Sequence, residues 1–195
     1  IVVTEAGFGS DMGAEKFMHI KAATSGKSPD CVVMNVTIRS MKLHGGAFGS
    51  RGGYRPSKEE LETENVEAVA TGAATNLDRH IRNMAGFGVP VIVSINKFAS
   101  DTDAAIKALS DAAPASGAKA VTITEVHSKG GEGGEDLAKA VVKAVQDHVA
   151  AGRPFTPLFL NDAPVMEKVE AIATRMYKAK EVVVETAAKK QLDKI

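Results

Sequence analysis

The chain has 195 residues, 44% hydrophobic and 25% charged, with 24 Lys+Arg against 24 Asp+Glu. That composition suffices for a buried core in one domain, and the zero net charge gives no global basic field to draw the chain to nucleic acid or an anionic membrane. The single cysteine, Cys31, excludes an intrachain disulfide and a thiolate metal cluster and suits a reducing cytoplasm. No apolar run reaches the length of a membrane span, and no stretch reads as a signal peptide.

In chain order, residues 1–4 form a short apolar strand, and the turn Gly7-Phe8-Gly9 follows. Asp11 is placed to cap a helix running to about Ser25, with Gly26 as its stop and Phe17, Ile20 and Lys21 on one face. Residues 31–38 read as a strand covered on both faces, because Val32, Val33, Val36 and Ile38 make a nearly continuous β-branched run. Cys31 is a small hydrophobe in that run. Residues 39–44 lead into a Gly-rich segment, a mobile loop over 45–56.

Ser57 with Glu60 three residues later signs a capping box. A long helix follows to about Ala85, with Gly72 as a potential break. Residues 89–95, Val-Pro-Val-Ile-Val-Ser-Ile, are the clearest buried strand, with Pro90 tolerated near its start. Asp101 or Thr102 caps a helix to about Ala113, and 118–124 is a further strand. A second Gly-rich turn at 130–134 precedes a helix over 135–150 whose Leu137, Val141, Val142, Val145 and Val149 share a face. Residues 152–162 are irregular, and a helix over 164–177 aligns Val165, Val169, Ile172 and Met176. Alternating strands and helices predict a single α/β domain over 1–195, a layered, mainly parallel sheet of Rossmann-like or P-loop-like type.

Four constellations carry chemistry. The first is the turn from Thr4 to Gly13, where backbone N–H groups at a helix start favour an anion or a polar ligand edge; Phe8 there is either a ligand platform or folds back into the core. The second, residues 94–101, lies beyond the carboxyl end of the best strand, where ligands bind in open α/β sheets. It offers Asn96, Lys97 and Asp101 as polar groups and Phe98 as an aromatic face; the plain alternative is a turn in which Asp101 caps the next helix. The third is His127-Ser128-Lys129-Gly130-Gly131-Glu132-Gly133-Gly134. Its glycines admit a close ligand, but it lacks the G-x-x-x-x-G-K-[ST] pattern, and Glu132, Glu135 and Asp136 oppose a phosphate unless a cation intervenes. The fourth gathers Arg39, Lys42 and His44 after a strand, an anion receptor or a solvated basic turn. None of the five histidines has zinc-site spacing, no G-x-S-x-G occurs, and no catalytic residue or metal ligand is assigned.

In order along the chain, Val3-Thr4-Glu5-Ala6-Gly7-Phe8-Gly9, Gly13-Ala14-Glu15-Lys16-Phe17, Lys42-Leu43-His44-Gly45-Gly46, Glu64-Asn65, Asn76-Leu77, His80-Ile81, Phe87-Gly88-Val89-Pro90, Ile95-Asn96-Lys97-Phe98 and Lys129-Gly130-Gly131-Glu132-Gly133-Gly134 resemble the middle of formate–tetrahydrofolate ligases. The ordered set is specific where each motif alone is weak, and it covers essentially the whole chain.

The resemblance implies a cytoplasmic, homo-oligomeric, ATP-dependent ligase. Formate and ATP (with Mg) give formyl phosphate, and the N10 amine of tetrahydrofolate attacks it to yield 10-formyltetrahydrofolate, ADP and phosphate. It further implies that the P-loop lies upstream of this segment and a further domain downstream, so that the segment alone is inactive. Within the implied folate and nucleotide pocket, Phe98 stacks on the pterin and Phe8 lines the site. His127 stands where relatives often carry a Trp, while Asn96, Lys129, Gly131 and Glu132 complete the pocket, with Lys42 and His44 as anion-binding candidates. Two readings of other classes stand beside it. One is a nucleotide-binding switch module, since Asn96-Lys97 echoes the guanine-reading Asn-Lys-x-Asp but has Ala99 in the fourth place. The other is a non-catalytic interaction domain.

Overall fold

A computed structural model of the chain describes residues 1–7, 9–49, 55–192 and 194. Phe8 and the centre of the expected 45–56 loop, residues 50–54, lie outside the described residues. The sequence reading of a single domain over 1–195 meets a structure of two compact units, one of Ile1–Ser28 with Thr156–Ile195 and one of Pro29–Phe155. No helix among the described residues is long and apolar enough to cross a membrane.

In the first unit the expected strand over 1–4 does not form; Ile1, Val2 and Val3 are almost wholly exposed and join no ladder. Helix α1 runs through Gly13–Lys16, a π-helical segment Phe17–Ala22 and Ala23–Ser25, and ends on Gly26 in the left-handed region, as the sequence requires. Its buried residues are Met18 and Ala22, while Ile20 is exposed. The wider π turn shifts the inward face away from the positions a 3.6-residue period selects.

The second unit holds a sheet of three parallel strands among the described residues, in the order β1 (Val32–Val36), β2 (Val91–Asn96), β3 (Ala120–Thr124). Met34 faces Val93, and Val93 faces Val121. The central β2 buries Val91, Ile92, Val93 and Ile95 completely, the continuous apolar run of a strand covered on both sides. β1 does not match its expectation: Met34 and Val36 are buried, but Val33 is exposed. One face of β1 is covered and the other is open, so its burial alternates.

Residues 39–44, read as a lead-in to the loop, form helix α2 (Ile38–His44), which also takes Ile38 from the end of the expected strand. Thr37 caps it by accepting from the Ser40 amide at 3.1 Å, and Ser40 Oγ accepts from the Thr37 amide. The expected box at Ser57 and Glu60 caps α3 (Lys58–Glu62). The long helix is interrupted at 63–65, not at Gly72. Asn65 accepts from the Ala68 amide at 2.9 Å and starts α4, which runs Val66–Gly72, Ala73–Leu77 and Asp78–Ala85 without a break.

Gly72 serves packing. A Cβ there would sit 2.1 Å from the Met41 carbonyl oxygen, and one on Gly45 would sit 1.8 Å from that of Ala68. Helices α2 and α4 thus meet backbone to backbone. Thr102, not Asp101, caps α5 (Asp103–Ala115). After β3 come a single turn α6 (Val126–Lys129), a 3₁₀ segment Gly130–Gly134 and α7 (Glu135–Ala150). Helix α7 packs on β3 and β2, but the face is rotated from the one expected. Ala144 and His148 are buried, whereas Val142 and Val149 are exposed. Leu137, Val141 and Val145 of the expected face are half-buried beside them. The first unit resumes with α8 (Val165–Ala171, continued by Ile172–Met176) and α9 (Thr186–Leu192). Met176 is buried, but Val165 and Val169 are exposed.

Substituting Gly72→Ala forces the two backbones apart and is expected to lower stability by about 1–3 kcal/mol, read from urea unfolding. Burial also pushes the Cys31 thiol up to about 11. Its reaction with a thiol reagent at pH 8 is therefore expected to be about 100-fold slower in the native chain than in denaturant.

Candidate functional site

The carboxyl ends of the three strands lie at one edge of the sheet, and each feeds a segment rich in polar groups. β1 delivers α2, β2 delivers residues 97–101, and β3 delivers α6 with the Gly-rich turn. The Lys97 amide continues the ladder by donating to the Thr124 carbonyl at 3.0 Å. Beneath this edge the hydroxyls of Ser94 and Thr124, both buried, lie 3.1 Å apart, and Thr124 also donates to the Ile95 carbonyl. A buried polar pair satisfied in this way locks the neighbouring strand ends together.

Phe98 sits on the loop after β2 and is 37% exposed. Its amide donates to the Asp101 carboxylate at 2.8 Å, and the Asp101 amide returns to the Phe98 carbonyl at 3.0 Å. Asp101 thus closes its own turn while Thr102 caps the helix, which fixes the backbone carrying the ring. The Arg39 guanidinium, from the first turn of α2, lies over the Phe98 ring with Cζ 4.3 Å from the centroid, a cation–π contact. Arg39 Nη2 also approaches Glu62 at 3.8 Å.

One turn along α2, Lys42 is only 3% exposed. Its ammonium donates to the Thr63 carbonyl at 2.9 Å and to the Leu61 carbonyl, bridging α2 to the break between α3 and α4. Burial holds this ammonium below the ordinary lysine range; nearby Asp101 opposes the shift and Arg39 adds to it. His44, at the other end of α2, is exposed.

Beyond β3 the Gly-rich turn folds back on its own start. The Glu125 amide donates to the Gly133 carbonyl at 3.0 Å, and a Cβ on Gly133 would sit 2.6 Å from the Glu125 carbonyl. Lys129 pairs with Glu125 across one turn. The hydrogen bond from Lys129 lowers the Glu125 carboxyl, and the same bond raises the Lys129 ammonium. His127, Lys129, Gly131 and Glu132 are exposed, and Asn96 is half-buried at the last ladder position, opposite Thr124.

The structure therefore gathers Arg39, Lys42, Phe98 and Asp101 at one corner of the edge and sets Asn96 beside the β3 segment. Phe8 lies outside the described residues. Sequence reasoning named Arg39 only as part of a basic turn and did not find Glu62 or Glu125. The four-residue spacing of Glu125 and Lys129 on a helix would have revealed their pairing, whereas the Arg39–Phe98 contact joins segments that only the sheet brings together. Among the described residues no three His, Cys, Asp or Glu converge to hold a metal ion. An aromatic face flanked by polar groups and loop glycines is equipped to hold and orient a planar ligand.

The family model for formate–tetrahydrofolate ligase matches residues 1–195. Among curated relatives, the formate–tetrahydrofolate ligase of Granulibacter bethesdensis is 44% identical over 194 residues, which is 100% of this chain and 32% of the relative. That of Dinoroseobacter shibae is 44% identical over 191 residues, 98% of this chain and 32% of the relative. The chain thus spans about a third of the length of these relatives.

Because the folded chain releases the Lys42 proton at a lower pH than the unfolded one, stability rises with pH between the depressed value and the ordinary 10.5. Below that window the full cost of the buried charge is present. Replacing Lys42→Met, which leaves two carbonyls without their donor, is expected to cost about 1–3 kcal/mol near neutrality. The gap between wild type and variant, measured by urea unfolding at several pH values, should widen as pH rises toward 10.5.

Proposed function

The chain belongs to the formate–tetrahydrofolate ligase family, and from that premise we propose that it is an internal segment of such a ligase, contributing part of the folate and nucleotide pocket. The observation that carries this reading is the family match over residues 1–195, joined to an exposed aromatic ring at the carboxyl edge of the sheet. In the proposed reaction formate attacks the γ-phosphorus of ATP, releasing ADP and forming formyl phosphate. The N10 amine of tetrahydrofolate then attacks the formyl carbon, phosphate leaves, and 10-formyltetrahydrofolate results. Mg would accompany the ATP phosphates.

Phe98 stacks on the pterin through its exposed surface. His127 supplies a flat imidazole on the β3 side, and Asn96 offers an amide to the heteroatoms of the ligand edge. Lys129, Gly131 and Glu132 form the loop that closes near it. His44 is the freer of the two anion-binding candidates, since Lys42 would have to leave its carbonyl partners to meet an anion. The whole enzyme is a cytoplasmic homo-oligomer in this reading, and the segment alone turns over no substrate, because the nucleotide-phosphate site is carried elsewhere in the ligase.

The test is calorimetric titration of the chain with tetrahydrofolate beside its Phe98→Ala variant. Loss of one stacking face is expected to cost about 1 kcal/mol, a several-fold weaker affinity. Equal affinity of the two proteins would remove Phe98 from the pocket. Formyl transfer by the isolated chain above a protein-free blank would overturn its assignment as an incomplete segment.

A further inference from the structure

We propose that Arg39 is a positioning residue for the ligand of Phe98: its guanidinium backs one face of the ring and leaves the other as the stacking surface. This rests on the folate reading above and adds a residue to it.

The geometry gives three reasons. First, the guanidinium lies 4.3 Å from the ring centroid, yet the phenylalanine remains 37% exposed, so backing does not bury it. Second, both partners are delivered from fixed backbone. Arg39 stands in the first turn of α2, which is capped at Thr37 and tied down through Lys42. Phe98 is held by the reciprocal bonds with Asp101. Third, the Arg39 Nε is buried with no hydrogen-bond partner, and the ion pair to Glu62 is long at 3.8 Å. Hydrogen bonding therefore does not dictate where the guanidinium lies, and the cation–π contact with the ring remains as the interaction that places it. A cation on one face draws π density toward itself, which makes the open face a better partner for an electron-rich ring such as a tetrahydropterin. The opposite arrangement, in which Arg39 covers the face the ligand needs and must swing away, predicts the opposite sign.

The test uses the full-length ligase carrying this segment, with Phe98→Ala, Arg39→Met and Arg39→Lys compared in steady-state kinetics and thermal unfolding. Arg39→Met is expected to raise KM for tetrahydrofolate about three- to tenfold, with kcat within about twofold and KM for formate and ATP unchanged. Arg39→Lys, which keeps the cation but not the plane, should fall between; it also serves as the probe if Arg39→Met does not fold. If Phe98→Ala raises KM while the Arg39 variants leave it unchanged or lower it, the positioning role is overturned and the folate reading stands. If Phe98→Ala is itself without effect on KM, the folate reading fails and this inference with it.

Discussion

The carboxyl edge of the sheet depends on where α2 lies, and α2 is placed by a contact that tolerates no side chain. Gly45 and Gly72 bring the backbones of α2 and α4 together at distances where any Cβ would overlap a carbonyl oxygen. With that crossing set, Lys42 is carried inward and finds the carbonyls of Leu61 and Thr63. These are chain-break carbonyls with no helical partner of their own to satisfy them. A buried ammonium is costly unless hydrogen-bonded, and carbonyls at a helix break need donors from outside the helix. Each deficit removes the other, so the interhelical approach and the buried lysine support one another.

From that anchor the aromatic site follows by short steps. Arg39 precedes Lys42 by three residues and so lies on the same side of α2, which directs it at the loop after β2. That loop is held from below by the central strand, whose apolar residues are buried on both faces. It is held locally by Asp101, which satisfies the Phe98 amide. Phe98 is thereby kept from collapsing onto the sheet, which an exposed ring on an untethered loop would do to remove apolar surface from water.

Much of this was legible in the sequence where a local rule governs. β2 announced itself as a run rich in Val and Ile, Ser57 with Glu60 as a capping box, Gly26 as a helix stop, and 135–150 as a helix. What stayed hidden was decided by partners distant in sequence. Gly72 reads as a helix breaker until Met41 is seen against it, and Val33 reads as core until one face of β1 is found open. The inward face of α7 centres on Ala144 and His148, a small and a polar residue that a hydrophobicity pattern passes over. For the site, strand ends located Phe98, Asn96 and the 127–134 segment, since those positions follow from chain order alone. The backing of Phe98 by Arg39 could not be read, because 58 residues lie between them and only the parallel pairing of β1 with β2 joins their loops.

The turn after β3 has a charge balance of its own. Its lysine is already paired with Glu125, so Lys129 offers less unopposed charge than its residue type suggests. Glu132, Glu135 and Asp136 add negative charge around the start of α7, where they offset the positive end of the helix dipole. A bare phosphate gains little there. A neutral, hydrogen-bonding ring edge loses nothing to those carboxylates and can accept or donate at close range, because Gly131 and its neighbours present backbone without side chains. On electrostatic grounds the β3 turn therefore opposes an anion and leaves a neutral group unopposed. A phosphate would have to be held by charge supplied from outside this turn.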